Sequence, residues 1–199
     1  MIPVRRDGLG ETEIPTVDQL RLELGREKTK ERWSRTTGRI AGTVIVAAAV
    51  IGLVTMLFFP VLKIKGDSMS GTMNDGDISV AFNAPRYGTG DVVAFFHGRD
   101  ILIRRIIATA GQTVSVDADG TVTVDGEPID EPYAEGNTVG TGDVVFPCQV
   151  PEGTYFVMGD KRDSSIDSRN SEIGFVRDDD VIGKLFLKAW PVKAVGIIR

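Results

Sequence analysis

The sequence predicts a mainly β protein, an antiparallel β-rich domain carried on one N-terminal transmembrane helix, and two observations predict it. Residues 40–59, IAGTVIVAAAVIGLVTMLFF, contain no ionisable side chain. Twenty helical residues span about 30 Å, the thickness of the hydrocarbon core. From residue 61 onward the pattern changes to short apolar segments separated by Gly, Asp and Asn, as in strands joined by turns. The 199 residues are 42% hydrophobic with a net charge of -5. Such a chain is too apolar to be disordered, is long enough for one or two compact units, and lacks the basic excess of a nucleic-acid binder.

Residues 1–39 are polar and charged, and from Arg21 to Arg39 they carry seven Lys or Arg. Within them LRLELGREKTKERWSR, residues 20–35, has the composition of a solvated juxtamembrane helix with intermixed charges. The apolar run that follows has only Thr43 and Thr55 as polar residues, so it lacks the polar stripe of a buried helix in a soluble domain. It ends in FFPVLKIKG and not in a small-residue cleavage site, which makes it a retained anchor. Basic residues crowd its N-terminal flank, and the positive-inside rule then leaves that end in the cytoplasm. The expected organisation is a cytoplasmic charged segment (1–39), a transmembrane helix (40–60) in the plasma-membrane bilayer, and an extracytoplasmic domain (61–199) with a strand and loop insert at about 111–150.

In the exported part, DISVAF (77–82), DVVAFF (91–96), ILIRRIIA (101–108), TVSVD (113–117) and TVTVD (121–125) read as strands. Asp119-Gly120 and Asp125-Gly126 mark tight turns, so TVSVDADGTVTVDG reads as a hairpin. Further strands are expected at 154–158 and 181–188, with no long soluble helix. The acidic run RDDD (177–180) reads as an exposed turn, because consecutive carboxylates point in different directions and make a poor cation site. The single cysteine, Cys148, has no partner for an internal disulfide and reads as a semi-buried strand or loop residue. No metal and no cofactor is implied.

Hydrolysis by a nucleophile needs a hydroxyl or thiol, a base and donors for the oxyanion. The only histidine, His97, lies in a loop between two strands, which removes most Ser-His-Asp readings. The other base that suits a serine is a lysine kept neutral by apolar surroundings. The candidate nucleophile is Ser68 in KIKGDSMSGTMNDGD (63–77), where Gly66 allows close backbone approach and Ser68 can offer both its hydroxyl and its N–H to a carbonyl.

The anchor, GDSMSGTMNDGD, ILIRRIIATAG and GDKRDSSIDSR (159–169), in this order, resemble the type I signal peptidases, membrane-bound Ser/Lys endopeptidases that remove signal peptides from exported proteins. The resemblance runs from about residue 40 to the end. It implies Ser68 as nucleophile and as one oxyanion donor, with Gly66 at the position of an accessory donor. It puts Asp160 and Arg162 at the start of the last motif, Ser165 on the base, and Asp167 with Arg169 as an ion pair bracing that wall. It further implies an extended signal peptide as partner, with small residues such as Ala at the two positions of an Ala-x-Ala rule. Leu62, Ile64 and Met69 are the candidates for lining those pockets. A place beside the secretion translocon follows from the same resemblance.

One position departs from the family. Its general base is the lysine of a Lys-Arg pair, and here Arg105 falls on the arginine while Arg104 falls on the lysine. No lysine occurs between Lys65 and Lys161. A guanidinium stays protonated in a protein, whereas the mechanism needs a neutral amine. Gly71 and Met73 also replace the usual Pro and Leu, which predicts a less rigid turn, and Lys161 reads as a residue of a wet loop. Two functions follow. The chain either cleaves signal peptides from preproteins, or is a catalytically impaired homologue that binds extended segments and assists export or assembly. The soluble self-cleaving repressors share GDSM, but the anchor argues against them.

Overall fold

A computed structural model describes residues 17–136 and 142–198. Residues 1–16 of the expected segment 1–39 and residues 137–141 of the expected insert lie outside these. The chain divides into two units, the first ending at Leu53 and the second beginning at Val54.

A single helix, α1 (Val17–Phe58), takes in both the predicted charged helix and the predicted anchor, which are continuous. It stops two residues short of the expected boundary. Pro60 has no N–H to give the helix and disfavours helical backbone at the residue before it. Thr37–Met56 is long and apolar enough to cross a bilayer. The hydroxyl of Thr43 donates to the Arg39 carbonyl four residues back, at 3.0 Å, so this polar group is satisfied within the helix.

The strands follow in order: β1 (Val61–Lys63), β2 (Ile78–Phe82), β3 (Val92–His97), β4 (Asp100–Thr109), β5 (Thr113–Val116), β6 (Val122–Val124), β7 (Glu127–Pro128), β8 (Cys148–Gln149), β9 (Thr154–Met158), β10 (Val176–Arg177), β11 (Val181–Trp190) and β12 (Gly196–Ile197). All pair antiparallel, in an eight-stranded sheet of order β1-β2-β11-β3-β4-β9-β10 with β12 on β11, and a four-stranded sheet of order β7-β6-β5-β8. The smaller sheet runs from Thr113 to Gln149. Its hairpin forms as read, with Val114 opposite Val124 and positive φ at Gly120, Asp125 and Gly126. Asp178–Asp180 form an exposed 3-10 turn before β11, as expected of the acidic run. Cys148 is half-buried on β8, and burial pushes its thiol pKa up.

Strand β4 is the spine of the domain. From Ile103 to Ala108 every side chain is buried, so neither face is wet. Ile103 belongs to a core with Ile64, Met69, Met73 and Leu185. Ile106 packs with Phe95, Val157 and Tyr155. Ile107 and Ala108 pack with Val114, Phe156 and Met158. Along β3 the strand pairs from Asp100 to Arg105, whereas its ladder with β9 begins only at Arg105. The outer edge of residues 101–104 therefore has no strand partner among the described residues.

Candidate active site

The free edge of β4 and the edge strand β1 line one groove of about 550 Å³, together with the turn that follows β1. Ser68, Gly66, Arg104, Leu62, Ile64 and Met69 all border it. The sheet therefore curls far enough to bring β1 and β4, separated by three strands in the sheet order, to one channel. Ile64 and Met69 are each 3% exposed and belong to the core beneath, so they form the floor of the groove as well as its support.

Ser68 sits in a turn closed by Ser70 N–H to the Asp67 carbonyl at 2.9 Å and Met73 N–H to the Met69 carbonyl at 2.7 Å. Neither its N–H nor its Oγ bonds to another of the described residues. The N–H of Gly66, by contrast, donates to Asp75 Oδ1 at 2.8 Å, so this N–H is engaged and the glycine has no side-chain donor. The turn is also firmer than expected. Met73 is fully buried in the core, and Gly71 has φ of +94°, a conformation that proline cannot adopt.

Both arginines of β4 are buried, Arg104 to 6% exposure and Arg105 to 1%. Arg105 makes a paired contact with Asp160, Nε to Oδ1 at 2.9 Å and Nη2 to Oδ2 at 2.7 Å, and reaches the Gly90 carbonyl at 2.8 Å. Thr72 donates to the same Asp160 at 2.5 Å, which ties the turn after Ser68 to this pair. Tyr133 stacks on the Arg105 guanidinium at 3.9 Å.

Arg104 meets no carboxylate among the described residues. Its Nε and Nη2 donate to the Ile166 carbonyl at 3.0 and 2.7 Å, and its Nη1 to the Ile103 carbonyl at 2.6 Å. Burial pushes its pKa down, Asp167 opposes this and Arg169 adds to it. A guanidinium remains charged even so. No hydrogen bond joins it to Ser68.

The 159–169 loop packs against Arg104 and the Ser68 turn. Asp167 and Arg169 pair at 2.8 Å, and Asp167 Oδ2 also accepts the Gly159 N–H at 3.0 Å. Ser165 differs from the family expectation. Its Oγ donates to the Lys161 carbonyl at 2.6 Å and lies 3.2 Å from the Ser68 carbonyl, and it does not touch residue 104. The guanidinium is bound to main-chain carbonyls, and the hydroxyl closes the loop on itself. Lys161 donates to Asp67 Oδ2 at 2.5 Å, and this contact raises the lysine pKa and lowers that of the carboxyl. Held so, Lys161 is a poor base.

Four residues without a place in the sequence reading complete the site. An added Cβ at Gly159 would lie 1.9 Å from Ser165 Oγ and 2.8 Å from the Ser68 carbonyl, so only glycine fits there. The GDKR motif held that signal. Glu131 pairs with Arg162, Nη1 to Oε2 at 2.9 Å, Tyr133 stacks on Arg105, and Glu135 exchanges main-chain bonds with Asp160 and Arg162. These come from the insert, where spacing offers no clue to them.

The chain matches the model of the family described as signal peptidase, peptidase S26, over residues 37–190. It is 30% identical to signal peptidase I U of Bacillus subtilis (strain 168) over 75% of this chain and 85% of that one. It is 32% identical to signal peptidase I of Bacillus amyloliquefaciens, over 79% and 87%. A crystal structure of a signal peptidase I from Enterococcus faecalis V583 matches with a TM-score of 0.44 at 30% identity, covering 52% of this chain and 99% of that one. By the extent of the family-model and sequence matches, the chain belongs to the signal peptidase family, peptidase S26.

Proposed function

We propose that the groove receives the signal-peptide region of exported preproteins as an extended strand, and that cleavage there is slower by several orders of magnitude than at a Ser-Lys site. The observation that carries this is the Arg104 guanidinium, buried in the base position and bonded to the Ile166 and Ile103 carbonyls. Free edges at β1 and at residues 101–104 suit strand addition to a peptide, with main-chain bonds for affinity. Leu62, Ile64 and Met69 supply an apolar floor for small side chains in the Ala-x-Ala pattern.

For hydrolysis, Ser68 Oγ would attack the scissile carbonyl while a base took its proton and the Ser68 N–H held the oxyanion. The unengaged Ser68 N–H supports the oxyanion part of this reading, and the charged Arg104 guanidinium argues against a base. Without the base, only binding and oxyanion stabilisation remain. In this reading residues 1–39 lie in the cytoplasm, 40–60 cross the plasma membrane, and 61–199 work outside beside the translocon, in export or assembly.

A second reading, retained signal-peptide cleavage, is favoured by Ser68 itself, with Oγ and N–H both unengaged in a firmly built turn. The two separate in one assay of the full chain in detergent micelles with an Ala-x-Ala peptide. The binding reading expects saturable association and turnover indistinguishable between wild type and Ser68→Ala. Turnover that Ser68→Ala abolishes supports the second reading.

A further inference from the structure

We propose that Arg104 and Ser68 form a receptor for a free peptide C-terminus, the carboxylate left once the bond after a small residue has already been cut. This rests on the reading of the groove as a peptide channel. A guanidinium carries five N–H donors, and three of those on Arg104 are used, one each from Nε, Nη1 and Nη2. Two remain without a partner among the described residues, on a side chain only 6% exposed that borders the same groove as Ser68. The Ser68 N–H is a further unused donor at that groove.

The charge of the groove agrees. Lys63, Lys65, Arg99 and Arg104 line it against one carboxylate, Asp100. None of the first three forms an ion pair with another described residue. Asp67, next to Ser68, is neutralised by Lys161. In a chain of net charge -5, this is a local concentration of positive charge, and it draws anions. An intact peptide presents a neutral carbonyl at Ser68, whereas a cut one presents a carboxylate, which the planar fork of a guanidinium complements. The same arginine that removes the base thereby creates selectivity for a cleaved end. The reaction that supplies this ligand is endoproteolysis after a small residue, by another enzyme.

The test measures fluorescence anisotropy with the full chain in detergent micelles and three labelled ten-residue peptides of one sequence ending in Ala-Phe-Ala. They are the free acid, the C-terminal amide, and an amide whose last residue is Asp. The acid is expected to bind about tenfold or more tightly than the amide, and the Asp peptide is expected to bind like the amide. Arg104→Gln is expected to remove the preference. Equal binding of acid and amide overturns the proposal without any variant, so a misfolded variant does not rescue it. A preference that survives Arg104→Gln, or an Asp peptide as tight as the acid, overturns it too. If none of the three binds, the groove reading itself fails and the proposal falls with it.

Discussion

The Arg104 guanidinium holds the carbonyl of Ile166 with two donors, Nε at 3.0 Å and Nη2 at 2.7 Å. Ile166 lies between Ser165 and Asp167, so the contact ties β4 to the 159–169 loop. Arginine at this position is therefore a structural member with its own acceptors. Its cost in burial is offset by three carbonyl contacts, while its chemistry excludes the role of a base.

Asp160 sits under the site with no exposed surface, accepting from Arg105 and Thr72. Removing one partner of such a pair leaves an uncompensated buried charge. Asp160→Ala is expected to lower stability by about 3–5 kcal/mol, read as a shift of the denaturant midpoint without a change of slope.

Gly159 admits no side chain. Gly159→Ala is expected to abolish peptide binding by displacing Ser165 and the Ser68 carbonyl. Adding Ser165→Gly removes the nearer clash but leaves the one at 2.8 Å with the Ser68 carbonyl, so binding should recover in part. Anisotropy of the double variant against both singles reads the coupling.

The Lys161–Asp67 pair predicts a pH signature of known sign. The Asp67 pKa is lowered by Lys161, so its contribution is full above the ordinary carboxylate value and is lost as pH falls through the depressed one. The Lys161 pKa is raised by Asp67, so its contribution is full below the ordinary lysine value and is lost as pH rises through the raised one. The melting temperature of Lys161→Ala should differ from wild type by a constant, small amount between those limits and converge with it outside them. The pair is largely solvated, which keeps the effect small. Any residual turnover should survive this substitution.

The proposed orientation predicts that residue 127, exposed on β7, faces outward. In a Cys148→Ser background, Glu127→Cys should react with a membrane-impermeant maleimide in intact cells. Labelling only after lysis would place the domain inside.

Much of this architecture is legible in the sequence because periodicity and turn residues are local. The anchor, the Thr113 to Val124 hairpin and the long β4 carry several consecutive signals each. The two-residue strands β7, β8, β10 and β12 carry too few residues for any period to show. At the site, motif order singled out Ser68, Asp160, Asp167 and Arg169. It could not tell that Ser165 and Gly66 N–H would be taken by local partners, which depends on how the turn closes. Glu131 and Tyr133 were invisible because their partners, Arg162 and Arg105, lie about thirty residues away in sequence and meet them only in the fold.

The central claim is that Arg104, in place of a base, is what withholds fast cleavage. The most direct measurement is the cleavage rate of an Ala-x-Ala peptide by the full chain in micelles, wild type against Arg104→Lys, across a pH series. A lysine buried at this position has its charged form disfavoured, so its pKa falls and the neutral amine grows as pH rises. The account predicts that Arg104→Lys cleaves about a thousandfold or more faster than wild type, with a rate that climbs with pH. Wild type cleaving as fast as Arg104→Lys, with the activity lost in Ser68→Ala, would contradict it.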